Sequence, residues 1–275
     1  MDKKIVIDVG SAKGEFARHV LMSHSNTTIF AVEPNISAHG VHLDVIRSEH
    51  SDRFLLHPYA LAEESGTRPM YGLSQLKGQI GSLKKFNSSK VWDKYIEAKI
   101  DKSKLINEVY VDVKSVKDFL SDIDNLEIDF LKIDVQGYDV IILREFLKFS
   151  SVKCMVVEIN TVSDPLENIY DSENNLTTLS KIISQFDLKI IKIVPNWDLS
   201  ELNVFLAYNE IEGREIIQLL KISENPVFIK GWKVSVQSEL FDLNAHKLIK
   251  TLFKFFIHPF KYSKKIKILL LKNLQ

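Results

Sequence analysis

Residues Asp8-Val9-Gly10-Ser11-Ala12-Lys13-Gly14 follow directly on the β-branched run of residues 5–9. They precede a stretch with helical spacing at Phe16, Val20 and Leu21. A strand, a glycine-bearing turn and a helix in that order open a βαβ unit. Gly10 lets the backbone turn tightly and approach a ligand, and Gly14 permits close passage at the start of the helix. A dinucleotide enzyme needs G-x-G-x-x-G here, because a pyrophosphate must sit on the helix N-terminus. Counted from Gly10, that pattern wants glycine at positions 12 and 15. This chain has Ala12 and Glu15, and Glu15 repels a phosphate. No G-K-[ST] follows, so the loop is not a P-loop either. A ligand without phosphates fits better, and S-adenosylmethionine is one: amino acid, sulfonium, ribose, adenine.

Working outward, Glu33 ends the second apolar run, 19 residues after Gly14. That is near the spacing of about 20 residues at which an acidic side chain meets ribose hydroxyls in this kind of fold. Its two oxygens can accept from both hydroxyls of a ribose, and no arginine stands beside it to welcome a ribose phosphate. Asp8 is placed to face the ammonium group of the ligand's amino-acid part. Taken singly, Asp8 reads equally well as a turn cap and Glu33 as an exposed loop acid; their order and spacing favour a joint role.

Further runs of strand character cover residues 28–32, 53–57, 130–135, 153–159, 188–194 and 202–208. With the first they make seven. Strand and helix in alternation predict a parallel sheet with both faces covered. The last two runs are separated only by residues 195–201, so a hairpin is expected and the final strand should run antiparallel. Residues 1–210 thus read as one α/β domain. Residues 74–108, polar and lysine-rich with helical potential in 91–99, read as a lid-like insertion or, more plainly, as a solvated connection. Residues 211–275 read as a partly helical, basic extension.

The 275 residues are 45% hydrophobic and 26% charged with no net charge. These values suit a globular protein and argue against a nucleic-acid footprint. The single cysteine, Cys154, excludes an internal disulfide framework and a cysteine-rich zinc site, and makes a reducing, cytoplasmic compartment the default expectation. Strand character begins almost at once, so no signal or transit peptide is expected. No apolar run reaches the roughly 18 to 20 residues that cross a bilayer.

The most specific stretch is Asp129-Phe130-Leu131-Lys132-Ile133-Asp134-Val135-Gln136-Gly137-Tyr138-Asp139, followed by Ile142-Leu143-Arg144. With Asp8–Gly14, Val32-Glu33-Pro34, Ala60-Leu61-Ala62, Ser82-Leu83 and Val156-Val157-Glu158-Ile159, it resembles the FkbM family of methyltransferases over most of residues 4–208. The family usually shows D-F-L-K-I-D-V-E-G-x-E; here Gln136 and Asp139 replace its two glutamates. Glutamine can still hydrogen-bond substrate or cofactor, which leaves it a positioning role, and Gln136→Glu is expected to be tolerated. The resemblance implies a Rossmann-like class I methyltransferase fold, S-adenosylmethionine as methyl donor, and O-methylation of a sugar, glycan or polyketide. It also implies an adenine neighbourhood at Ala60 and Leu61. Of the acceptors, a saccharide or glycoconjugate is the first expectation and a polyketide-like metabolite the second. A cofactor-binding module without turnover is the non-enzymatic rival, and Gln136 is the residue that keeps it open.

Ligands of open α/β sheets sit at the carboxyl ends of the strands. Asp8, Glu33, Asp134 and Glu158 fall at or near such ends. The expected cofactor contacts are Asp8, Gly10, Ser11, Gly14, Glu33, Pro34, Ala60, Leu61 and Asp134. For the chemistry, Asp134 is the first choice of general base or orienting acceptor, with a structural helix cap as its plain alternative. Lys132 shapes the local field or merely packs its stem. Gln136 and Glu158 stand nearby, and His57 is a second candidate base. Asp134 and Glu158 could share a magnesium ion, but only two ligands are visible and no histidine pair supports them, so metal-free chemistry is preferred.

The tail from 243 to 275 contains no acidic residue and eight lysines: Lys247, Lys250, Lys254, Lys261, Lys264, Lys265, Lys267 and Lys272. Large apolar residues lie between them, and Pro259 should divide it into two short helices. Two readings stand: packing on the sheet domain or a second subunit, or peripheral contact with an anionic membrane surface.

Overall fold

The computed structural model describes residues 3–72, 81–86, 108–124, 126–161, 170, 172–195 and 201–229. The expected helix at 91–99, most of the 74–108 insertion and the basic tail from 243 lie outside the described residues.

Seven strands form the main sheet: β1 (Lys4–Val9), β2 (Thr27–Val32), β3 (Phe54–His57), β7 (Ile128–Ile133), β8 (Val152–Asn160), β9 (Lys189–Pro195) and β10 (Glu201–Ala207). They are the seven read from the sequence, with ends displaced by one or two residues. Three further strands, β4 (Ala60–Ala62), β5 (Gly66–Met70) and β6 (Val109–Ser115), come between β3 and β7 in the chain. The order across the main sheet is β3-β2-β1-β7-β8-β10-β9, with β10 antiparallel to both its neighbours and the other pairings parallel. The order reverses between β1 and β7, the switch point at which such sheets open a crevice. Helices cover both faces of the central strands, and β2 and β7 are buried at every position, the polar Thr27, Thr28, Asp129 and Lys132 included.

One face carries α1 (Glu15–Ser23), α2 (Ile36–Glu49) and α6 (Glu210–Leu219). Phe16, Val20 and Leu21 of α1 pack with Leu43 and Ile46 of α2, and with Phe130 and Phe205 of the sheet. The Phe16 and Phe130 rings stack at 5.9 Å. The other face carries α3 (Val116–Asp122), α4 (Asp139–Phe149) and α5 (Leu176–Gln185), with Phe119 edge-on to Phe146 at 6.3 Å. The core continues past residue 210, since Ile216, Ile217, Leu220 and Phe228 belong to the same buried cluster. The boundary expected at 210 therefore does not divide the core.

The small sheet, order β4-β6-β5, is the part of the architecture that the sequence reading left out. It lies between β3 and α3 in the chain, and its β4 supplies Ala60 and Leu61 to the crevice. Among the described residues no helix is long and apolar enough to cross a membrane.

Candidate active site

The loop after β1 is held by its neighbours' backbones. Gly10 and Ser11 donate from their amides to the Val32 carbonyl at 2.9 and 3.1 Å, and Asp134 donates to the Val9 carbonyl at 3.0 Å. Gly10 has φ +78°, and a Cβ there would lie 1.9 Å from the Asp134 carbonyl oxygen. Gly14 has φ +72°, and its Cβ would lie 2.5 Å from Cδ1 of Ile46. Gly10 thus serves the meeting of β1 with β7, and Gly14 the packing of α1 on α2.

This loop forms one wall of a cleft at the carboxyl ends of the strands. Gly10, Ser11, Ala12 and Lys13 line it on the β1 side, and Glu33 and Pro34 after β2. Ala60, Leu61 and Met70 of the small sheet give an apolar wall, and Lys132, Asp134 and Gln136 form the floor beneath Leu83 and Tyr138. Ser82, beside Leu83 in the 81–86 segment, donates its hydroxyl to the Gln136 carbonyl at 2.5 Å. Of the expected cofactor contacts, Gly10, Ser11, Glu33, Pro34, Ala60, Leu61 and Asp134 line the cleft; Asp8 and Gly14 do not.

Glu33 is buried and oriented by two backbone amides: Ala12 donates to Oε2 at 2.8 Å and Asn35 to Oε1 at 2.7 Å. Burial raises its pKa, against the pull of those two amides. Each oxygen keeps a lone pair for a further donor.

Asp8 corrects an expectation. Its side chain is fully buried under the floor and faces Lys132, its neighbour in register on β7. The Lys132 ammonium stands 3.2 Å from Asp8 Oδ1 in a buried ion pair. It also stands 3.4 Å from Asp134 Oδ2 and donates to the Gly10 carbonyl at 3.3 Å. Burial alone lowers a lysine pKa, but the carboxylates of Asp8 and Asp134 outweigh it and the net shift is upward. Lys132 is a fixed cation beneath the cleft. Burial, countered by Lys132, raises Asp8.

Asp134 is about 30% exposed, and the cleft reaches it. Gln136 Nε2 donates to Asp134 Oδ1 at 3.1 Å and to Glu158 Oε2 at 3.3 Å. The amide thus occupies the space between the two carboxyls that a shared magnesium ion would need. Among the described residues no three His, Cys, Asp or Glu converge as metal ligands. Glu158 does not line the cleft; burial first, then Glu201 and Asp134, push its carboxyl well up. His57 also lies away from it. Its Nδ1 shares a hydrogen with the Tyr59 hydroxyl at 2.9 Å, its ring stands edge-on to Phe119, and burial lowers its pKa. A half-buried imidazole outside the cleft is no base for a ligand inside it.

Sequence reasoning missed Tyr138, Tyr170 and Asn174. Tyr138 sits inside the quoted motif; its hydroxyl donates to Glu63 at 2.5 Å and accepts from Arg68 at 2.8 Å. Tyr170 donates to Gln136 Oε1 at 2.8 Å, and Asn174 donates to Asp139 Oδ2 at 3.1 Å. Neither carries a local signal.

Asp139, at the first turn of α4, accepts from the amides of Val135 and Gly137 at 2.9 and 2.8 Å. Burial and the charge of Asp134 outweigh these donors and push its carboxyl up to about 7. The folded state therefore holds this proton more tightly than the unfolded chain. Its contribution to stability is fully present below about pH 4 and is lost as pH rises through about 7, by on the order of a few kcal/mol. Asp139→Asn lacks this titration. Its stability relative to wild type should rise between pH 4.5 and 8, read from urea unfolding; parallel curves for the two proteins would remove Asp139 as the titrating group.

The sheet order, the antiparallel β10 and the acidic residue after β2 define a Rossmann-like fold of the class I methyltransferase type. A family model described as the methyltransferase FkbM domain matches residues 8–192, and the chain belongs to that family. Methyltransferase 1 of Beauveria bassiana (strain ARSEF 2860) is 21% identical over 211 residues, covering 74% of this chain and 80% of that protein. Among solved structures, an O-methyltransferase family 2 protein from Planctomyces limnophilus DSM 3776, in complex with apigenin, is 10% identical. The match covers 76% of this chain and 50% of that one with a TM-score of 0.38. The O-methyltransferase NcsB1 of neocarzinostatin biosynthesis, in complex with S-adenosyl-L-homocysteine and 1,4-dihydroxy-2-naphthoic acid, is 13% identical, covering 74% and 49% with a TM-score of 0.38. The chain spans about half the length of these two structures.

Proposed function

We propose that this chain transfers the methyl group of S-adenosylmethionine to a hydroxyl oxygen, and that the acceptor is a saccharide or glycoconjugate. One observation carries the choice of cofactor. The amide of Ala12, which a pyrophosphate would claim in a dinucleotide loop, donates instead to the Glu33 carboxylate. A carboxylate in that place repels phosphate and favours the hydroxyls of an unphosphorylated ribose. Ala60, Leu61 and Met70 offer the apolar wall that an adenine face suits.

S-adenosylmethionine supplies an electrophilic methyl group on a sulfonium. The chain's own residues supply position and proton traffic. Asp134 accepts the proton of an acceptor hydroxyl, and Lys132 and Gln136 hold its two oxygens. Leu83, Met70 and Tyr138 narrow the cleft against water, which in-line displacement requires. A carboxylate acceptor for the proton suits an oxygen nucleophile. The narrower choice of a saccharide rests on the family resemblance.

Calorimetry should show binding of S-adenosylmethionine and S-adenosylhomocysteine and none of nicotinamide dinucleotides. Glu33→Ala should weaken cofactor binding by about 1.5–3 kcal/mol, the range for hydrogen bonds to a charged group. Normal affinity in that variant would take Glu33 out of the site. The acceptor is tested by S-adenosylhomocysteine release in the presence of unprotected mono- and oligosaccharides, with hydroxylated polyketide aglycones in parallel. Release with aglycones alone would overturn the saccharide assignment. Cofactor binding without release across both sets would favour a binding module.

A further inference from the structure

Three elements converge on Gln136. Its backbone carbonyl accepts from Ser82, its side-chain oxygen accepts from Tyr170, and its amide nitrogen donates to Asp134 and to Glu158. With Tyr170 on the oxygen, the amide has one orientation. The reverse would set the oxygen against two carboxyls and the Tyr170 hydroxyl hydrogen against an NH₂. The residue has φ +56°, a conformation that side-chain-bearing residues rarely adopt and that the surroundings must impose. Asp139 imposes it by accepting the amides on both sides, those of Val135 and Gly137.

We propose that Gln136 is a positioning residue for Asp134: its amide ties Asp134 to the half-buried Glu158 and leaves Asp134 as the one carboxyl of the pair that meets the cleft. The groups around the pair come from four elements. Asp134, just past β7, faces Lys132 on β7 and, through it, Asp8 on β1. Glu158 on β8 faces Glu201 on β10, and Asp139 on α4 faces both. Burial first, then Glu201, pushes the Glu158 carboxyl upward. The same geometry revises the expectation that Gln136→Glu is harmless. A glutamate would put a third carboxyl within about 3 Å of two others, and like charges at that range do not all ionise. The clamp stands on the geometry alone; that Asp134 acts as a base rests on the methyl-transfer reading above.

The test is a ¹³C-carboxyl NMR titration of the full chain labelled at Asp and Glu, with Asp134→Asn and Glu158→Gln to assign the two signals. In Gln136→Leu, which removes both N–H donors, the Asp134 midpoint should rise by about one pH unit. In Gln136→Glu, which has nearly the native size and serves if the leucine variant does not fold, it should rise further. Calorimetry of the wild-type chain at pH 8 reads S-adenosylmethionine binding separately from the midpoints. With the acceptor found in the release screen, the acidic limb of the kcat profile should move up with the midpoint. An Asp134 midpoint unchanged in both variants overturns the proposal. If wild type fails to bind S-adenosylmethionine while the midpoints still move, the cofactor reading has failed and the clamp stands.

Discussion

Gly10→Ala should destabilise the protein by about 2–5 kcal/mol and abolish cofactor binding. Two costs add. Alanine at φ +78° pays about 1 kcal/mol for a left-handed backbone. Its Cβ would lie 1.9 Å from the Asp134 carbonyl oxygen, which is backbone and cannot rotate away. Relief requires the ends of β1 and β7 to separate, which strains the bond from the Asp134 amide to the Val9 carbonyl and displaces the cleft floor with it. Gly14→Ala is the internal comparison. Its left-handed cost is similar, but its Cβ meets the end of the Ile46 side chain, which can change rotamer. Gly10→Ala should therefore be the more damaging of the two in urea unfolding. Equal losses would mean that φ rather than the close approach governs both positions.

The main sheet was legible because most of its strands run six to nine residues, are rich in β-branched residues and are largely buried, so they stand out as apolar runs. The small sheet was not. β4 is three residues long, and β5, Gly66-Thr67-Arg68-Pro69-Met70, contains the two residues that usually mark a turn. β6 did carry a signal in the alternation of Val109, Val111 and Val113, but it stands beside the lysine-rich insertion and was passed over. A similar division runs through the site. That the loop and Glu33 share one cleft could be read from spacing, since a βαβ unit fixes how far apart its strand ends fall in sequence. The burial of Asp8 could not, because it depends on β1 and β7 lying side by side with Asp8 opposite Lys132, 124 residues later. His57 was misplaced for a related reason: it does end a strand, but Tyr59 and Phe119 close over it. The role of Gln136 needed a positive φ and a tyrosine 34 residues away, neither of which leaves a mark in local sequence.

Asp134→Asn should lower turnover about 100-fold or more while leaving S-adenosylmethionine affinity within a few-fold. The substitution keeps size and most contacts. An asparagine can still accept the Gln136 amide hydrogen through Oδ1, and its NH₂ then faces Lys132, which already has Asp8 and the Gly10 carbonyl. What is lost is the capacity to take a proton from an acceptor hydroxyl, so kcat should fall and cofactor binding should not. Lys132→Met is the contrasting variant. It strands the fully buried Asp8 without a counter-charge, so it should damage stability before chemistry, and a loss of soluble protein there would say nothing against Asp134. The decisive comparison is single-turnover methyl transfer by wild type and Asp134→Asn at saturating cofactor. If the two rates agree, Asp134 is not the base. Glu158 is then no ready substitute, because it lies behind Gln136, and an acceptor that loses its proton to solvent would be the remaining explanation.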